Sequence, residues 1–177
     1  KLVFLYNKLQ QPLFSYSADG RLRLWNVSRA NPQVVLDVEA RLPAQDTRPS
    51  DVTCLATDKN NALLLSGDAA GWVCARDISL LDVTNPGTAS TMTVTSMFCA
   101  HTEAVTGIEF AANHGGTLIT ASVDTSLRIW TIEGVPLGVF GSKLWDLKQL
   151  IAHVPEEEGT EQPSTTFMTG VNDTTCT

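Results

Sequence analysis

The strongest constraint on how this chain folds is an internal repeat. Three segments share an apolar strand, a small or polar turn, and a second strand with aliphatic residues at alternate positions. The first runs from Phe14 to Asn26, the middle one from Leu63 to Asp77 and the last from Leu118 to Trp130. Asp19 aligns with Asp124 and Trp25 with Trp130, each Asp six residues ahead of its Trp. Ala70 and Arg76 occupy those two positions in the middle segment. The aromatic slots at 25, 76 and 130 stand 51 and 54 residues apart, and the alternation of Leu22 and Leu24 with Arg21 and Arg23 has the period of two that belongs to strands.

Each repeat reads as four short strands. In the last, Met92 to Phe98 and Ala104 to Phe110 flank His101, Thr117 to Ser122 and Leu127 to Ile132 follow, and Pro136 to Phe140 is an outer strand. Leu2 to Tyr6 reads as an early strand of the first repeat. Val and Thr are frequent in these runs, as suits a pleated, half-buried surface. Residues 112–116, with Gly115-Gly116, make a strand-to-strand turn and lack the rest of a phosphate-binding loop. The expected divisions are 1–40 for a partial first unit, 41–98 for a second whose outer strand leads into the third, 99–141 for the third, and 142–177 for a closing segment with an acidic tail. The second unit carries insertions at 41–50, with two prolines, and at 81–90, with the turn signal Asn85-Pro86-Gly87.

The pieces Asp19-Gly20-Arg21-Leu22-Arg23-Leu24-Trp25 and Asp124-Thr125-Ser126-Leu127-Arg128-Ile129-Trp130 resemble the signature of the WD40-repeat family, and Ala100-His101 resembles its Gly-His element with Ala for Gly. The likeness covers roughly residues 1 to 141. It implies an all-β fold, a WD40-type β-propeller with about three four-stranded blades of an incomplete ring, since propellers generally need about four to eight. The resemblance further implies a buried network of His101, Ser122 (or Thr120), Asp124 and Trp130, in which the Asp holds the His, the His meets a hydroxyl, and the hydroxyl meets the indole. Blade one keeps Ser17, Asp19 and Trp25. Blade two departs from the pattern, with Arg48 where the His belongs, Ala70 for Asp and Arg76 for Trp, and is expected to be held by ordinary packing. The Gly134–Leu147 segment is similar to one that closes propellers in some WD40 proteins of motile cilia, although this chain has no D-x-D-x-D-G calcium loop.

Composition narrows the functional classes. Hydrophobic residues make up 43% and charged residues 18%, a globular balance. The net charge is -7 and no Lys/Arg run is present, which argues against nucleic acid and against an anionic membrane surface as partners. No apolar stretch approaches a membrane span. The chain begins with a strand-like segment at Lys1 and reads as an internal piece of a longer polypeptide. Cys54, Cys74, Cys99 and Cys176 form no C-x-x-C pair, so zinc-ligand spacing is absent. Three of them fall in apolar strand patterns as buried free thiols, which suits a reducing compartment and a cytoplasmic location.

Ser122, His101 and Asp124 are the residue types of a hydrolase triad, but no G-x-S-x-G elbow surrounds Ser122, and the register with Trp130 accounts for all three without chemistry. The chain is therefore expected not to be an enzyme and to need no cofactor or metal. His114 and His153 read as surface or loosely packed residues. Trp72 stands in the slot of Arg21 and Ser126, either as an exposed interface anchor or packed beneath the 81–90 insertion. Arg76 either reaches solvent, where a partner could meet it, or pairs with a carboxylate of a neighbouring blade. Residues 156–163 read as a solvated acidic linker, the other choice being a docking peptide. The expected function is a protein–protein interaction scaffold in a multi-subunit assembly, with a structural role in a ciliary, axonemal or cytoskeletal context as the expected setting. The alternative is a peptide-recognition adaptor such as a ubiquitin-ligase substrate receptor.

Overall fold

A computed structural model describes residues 1–5, 12–17, 19–27, 33–39, 51–82, 85, 88, 92–111 and 116–141. The insertion at 41–50, most of the one at 81–90, Arg48, His114, His153 and the segment 142–177 lie outside the described residues.

The described strands form three four-stranded antiparallel sheets, each a meander of consecutive strands. The first holds β1 (Leu2–Phe4), β2 (Leu13–Tyr16), β3 (Arg21–Asn26) and β4 (Gln33–Glu39). The second holds β5 (Val52–Thr57), β6 (Leu63–Asp68), β7 (Trp72–Asp77) and β8 (Thr93–Cys99). The third holds β9 (Val105–Ala111), β10 (Thr117–Ser122), β11 (Leu127–Thr131) and β12 (Pro136–Val139). These are three blades of an incomplete propeller.

The sequence repeat is reproduced as a repeat of register. Leu13 pairs with Trp25, Leu64 with Arg76 and Leu118 with Trp130, so the second and third strands of every blade are in step. Each blade also carries an irregularity just before the aromatic slot, between Leu24 and Trp25, Ala75 and Arg76, and Ile129 and Trp130. A bulge there twists the outer strand and re-aims the slot side chain. The hairpin ahead of each slot needs a left-handed residue: Gly20 (φ 80°) and Gly71 (φ 88°) supply it in blades one and two, and Thr125 (φ 66°) in blade three.

Two apolar clusters hold the arc, one at each blade–blade joint. Phe14, Leu22, Leu24 and Leu36 of blade one meet Val52, Leu64, Ile78 and Leu81 of blade two. On the other side Leu65, Val73 and Ala75 of blade two meet Val105, Ile108, Leu118 and Trp130 of blade three. Blade two is thus covered on both faces, which is why β6 and β7 are buried almost throughout while β3 alternates. The inner strands come close: a Cβ on Gly67 would stand 2.7 Å from Cys54 Sγ and from Val105. Thr53 Oγ1 donates to the Val105 carbonyl across the same joint.

Cys54 and Cys74 are free and buried, and burial pushes both thiols up in pKa. Cys99 is disulfide-bonded, so the expectation of free strand thiols applies to the other two. Among the described residues no helix is long and apolar enough to cross a membrane.

Candidate functional site

The most developed polar constellation lies where blade two hands over to blade three. His101 follows β8, and its backbone N–H and that of Ala100 both bond the Gly71 carbonyl, at 3.1 and 3.0 Å. The imidazole enters blade three and is fully buried. Its Nδ1 lies 2.9 Å from Asp124 Oδ2 and its Nε2 lies 2.7 Å from Thr120 Oγ1. Trp130 Nε1 donates to the same Thr120 oxygen at 2.9 Å.

Hydrogen bookkeeping assigns the protons. An indole N–H can only donate, and a threonine hydroxyl has one hydrogen to give. Thr120 therefore accepts from Trp130 and donates to His101 Nε2, which leaves Nδ1–H to donate to the Asp124 carboxylate. A neutral imidazole satisfies the whole chain, whereas a protonated one would leave the Thr120 hydrogen without an acceptor. Burial accordingly pushes His101 below the usual imidazole pKa, against the upward pull of Asp124. Burial alone would raise Asp124. The Ser126 hydroxyl (2.6 Å), the Ser126 N–H (2.9 Å) and His101 outweigh it and hold the carboxyl at about 2. Phe98 of β8 lies on the Trp130 ring, with centroids 5.2 Å apart and planes at 44°.

Ser122 is not the linking hydroxyl; Thr120 is. Trp130 pairs with Leu118, so Thr120 is the next residue on the same face, two positions along. Ser122 lies two positions further, about 7 Å farther along the strand, and beyond a register shift between Ala121 and Ser122. Its hydroxyl instead donates to the Glu103 carbonyl (3.0 Å) and accepts the Asp124 N–H (3.1 Å), which closes the hairpin. Ser122 and His101 thus do not form a nucleophile–base pair. Among the described residues no group of His, Cys, Asp and Glu is placed to hold a metal ion.

The other blades run variants of this arrangement. Trp25 Nε1 donates to Ser15 Oγ at 2.7 Å. Asp19 accepts from Arg23 Nη2 at 2.6 Å and from Ser17, contacts that hold its carboxyl well below the usual range. Arg23 and Arg21 both also reach Asp37 on β4. In blade two Arg76 is only 6% exposed, and its Nη1 donates to Ser66 Oγ at 3.0 Å. This corrects its candidacy as a partner-binding residue: the guanidinium sits inside the sheet stack, where the bulge aims it, and not at the surface. It also adds a polar pair to a blade expected to rely on packing alone. Asp68 takes over the turn there, accepting the N–H groups of Ala70 (2.9 Å) and Trp72 (2.8 Å) from two positions before the usual Asp. Trp72 itself is half-buried. In every blade, then, the slot residue donates to a hydroxyl ten residues earlier: Ser15, Ser66 and Thr120. That spacing is visible in the sequence, and it was the signal that would have selected Thr120.

Comparison with known proteins agrees with this geometry. Residues 92–131 match the family model described as "WD domain, G-beta repeat". The chain thus carries a WD40 repeat. The matched unit runs from β8 of blade two to β11 of blade three, so one WD40 repeat straddles two blades and His101 lies at the crossing. The chain is 25% identical over 133 residues to Striatin of Rattus norvegicus, covering 73% of this chain and 17% of that protein. It is 26% identical over 150 residues to Striatin of Homo sapiens, covering 82% of this chain and 18% of that protein. The chain thus spans less than a fifth of the length of the curated relatives it matches.

Proposed function

We propose that this WD40 arc is a non-catalytic protein-interaction module, part of a larger propeller that gathers other proteins into an assembly. The observation that carries the proposal is the outer face of blade three. Ile119, Ala121, Leu127 and Ile129 are half-buried. Their counterparts Phe14, Leu22 and Leu24 in blade one, and Leu65, Val73 and Ala75 in blade two, are at 0–1% exposure because the next blade covers them. Blade one shows the matching opposite face, with Leu2 and Phe4 exposed beside Leu13 and Trp25. Faces of this kind are built to be covered by protein. The polar residues capable of chemistry are meanwhile committed to one another inside the blade joint, which supports a non-catalytic role.

Trp72 is the surface anchor we propose for a partner, since a half-buried Trp beside a turn supplies a large contact area. Within the same class, the setting we favour is a ciliary or other cytoskeletal assembly, supported by the likeness of the Gly134–Leu147 segment. The test is affinity purification of the full-length protein followed by quantitative mass spectrometry. Partners in stoichiometric amounts are expected, with at least one lost from Trp72→Ala at an unchanged melting temperature. Recovery of the protein alone would overturn the interaction module, and a serine-directed fluorophosphonate probe labelling Ser122 would overturn the non-catalytic assignment. Ciliary or cytoskeletal proteins absent from the partner set would overturn the setting.

A further inference from the structure

The first strands of the blades, β1, β5 and β9, each start beside their own blade's hairpin, where the Tyr16 N–H bonds the Lys1 carbonyl (2.9 Å), the Ala69 N–H the Asp51 carbonyl (2.9 Å) and the Val123 N–H the Ala104 carbonyl (3.0 Å). Their far ends border something else. A cavity of about 440 Å3 opens there, between the end of β1, the end of β5 with its following turn, and the later half of β9. Its wall is largely apolar, with Phe4, Leu55 and Ile108 among its residues, and Asp58, Lys59, Asn61 and Glu109 are the charged and amide groups on it.

One of those groups is unsatisfied. Asp58 is used internally: its carboxylate accepts the N–H groups of Ala62 and Leu63, both at 2.7 Å, and of Asn60 at 3.1 Å. Asn61 is 3% exposed, and its Nδ2 has no hydrogen-bond partner. The backbone does not require an amide at this position. Asn61 has φ 52° in a turn closed by its own N–H to the Asp58 carbonyl at 3.0 Å, and glycine would adopt that conformation with less strain. Asparagine instead carries a two-hydrogen donor into a buried place, where leaving it unpaired is unfavourable.

We infer that this cavity receives an apolar side chain from a peptide segment of a partner protein, and that the buried Asn61 side chain turns toward it so that the adjoining main-chain carbonyl accepts a hydrogen bond from Nδ2. The acceptor is neutral because Asp58 and Glu109 outnumber Lys59 on the wall and the chain carries a net charge of -7, so a carboxylate or phosphate would meet repulsion. The size agrees: the cavity is near the lower end of the range for ligand sites, about 300–1,000 Å3, which suits one bulky side chain with its flanking amides. This inference deepens the interaction module proposed above and rests on it, by naming a site and the chemistry of what enters.

The test uses the full-length protein with labelled methyl groups and side-chain amides, titrated with N-acetyl-leucine N-methylamide and observed by NMR. Saturable shifts are expected at the Asn61 amide and at the methyls of Leu55 and Ile108. Asn61→Gly, which suits the turn, is expected to weaken binding roughly fivefold, the share of one net hydrogen bond. Sodium acetate at the same concentrations is expected to move none of these signals. No shift at Asn61, undiminished binding in Asn61→Gly, or displacement of the probe by acetate would each overturn the inference. Those failures leave the capture of stoichiometric partners untouched, whereas probe binding by a protein that purifies without partners would sink the interaction module alone.

Discussion

Replacing Thr120 with valine isolates the hydroxyl at the centre of the joint while preserving its shape. In the native protein that oxygen receives the Trp130 indole N–H at 2.9 Å and faces His101 Nε2 at 2.7 Å. Valine leaves both groups buried without partners, since His101 and Thr120 are fully buried and Trp130 is 4% exposed. Each stranded group costs about 1–3 kcal/mol, and with two of them Thr120→Val is expected to lose roughly 2–6 kcal/mol with no cavity created. Ser122→Ala is the control. Its hydroxyl bonds only the Glu103 carbonyl and the Asp124 N–H at a partly exposed hairpin, so about 1 kcal/mol is expected. Thr120→Ser keeps the oxygen and loses one methyl, for about 1 kcal/mol. The assay is urea unfolding of the full-length protein followed by tryptophan fluorescence, read as a shift of midpoint at constant slope. If Thr120→Val unfolded within about 0.5 kcal/mol of wild type while Ser122→Ala lost 2 or more, the relay would run through the other hydroxyl and the proton assignment would fall with it.

Three further outcomes follow from the same geometry. Folding depresses His101, so below the ordinary value of 6.5 the unfolded chain takes up a proton that the folded one refuses, and stability falls as pH drops. Asp124 adds a second step: its contribution, about 2 kcal/mol, is present above its unfolded pKa of 3.8 and lost as pH falls through about 2. Melting temperatures rising between pH 7.5 and 5.5 would contradict the first, and Asp124→Asn should erase the second. Gly71→Ala is expected to be severely destabilising, by about 3 kcal/mol or more, because a Cβ there would stand 1.9 Å from the His101 carbonyl oxygen at φ +88°. Gly141→Ala, at φ +81° with nothing within 4 Å, should lose only about 1 kcal/mol in the same melt, so equal losses would show that contact is not what sets the Gly71 effect. Thr125 is a β-branched residue at φ 66° where blades one and two use glycine, so Thr125→Gly is expected to stabilise by about 1 kcal/mol, and a lower melting temperature would count against strain at that hairpin.

Much of this architecture was legible because period and register are carried by short-range pattern. The alternation around Leu22 and Leu24, and the Asp-to-Trp spacing in two segments, place strands, hairpins and blade order. The middle blade was harder, since both of its faces are covered and Leu63-Leu64-Leu65 no longer alternates with polar residues. The choice between Thr120 and Ser122 was not decided because both are hydroxyl residues of one parity on one strand. The pairing of Leu118 with Trp130 and the register shift after Ala121 separate them, and in the sequence the one discriminating signal is the ten-residue spacing shared with Ser15 and Ser66. Arg76 stays open between solvent and an internal partner in the sequence for a related reason: an arginine in a strand is ordinarily at a surface, and the bulge that turns it inward toward Ser66 leaves no mark in composition.

The three blades together show which part of the joint the fold demands. The imidazole–carboxylate pair of His101 and Asp124 belongs to blade three, and blade one meets its Asp19 with Arg23. In blade two the acid stands at Asp68 and the slot holds a guanidinium. What persists through these changes is a nitrogen donor at the slot and a hydroxyl ten residues before it. The reason is local. Each slot follows an irregularity in the pairing of the last two strands, which turns a large side chain across the neighbouring strand toward the preceding blade. Any nitrogen carried there needs an acceptor on that strand, and the hairpin register puts one two positions beyond the slot's partner. The His–Asp pair adds to this minimum by tying the hydroxyl of one blade to the backbone turn of the blade before it, through His101 and the Gly71 carbonyl. Blades two and three are therefore joined by both packing and a polar chain. Blade one keeps the donor and hydroxyl too, as Trp25 and Ser15, beside the exposed Leu2 and Phe4.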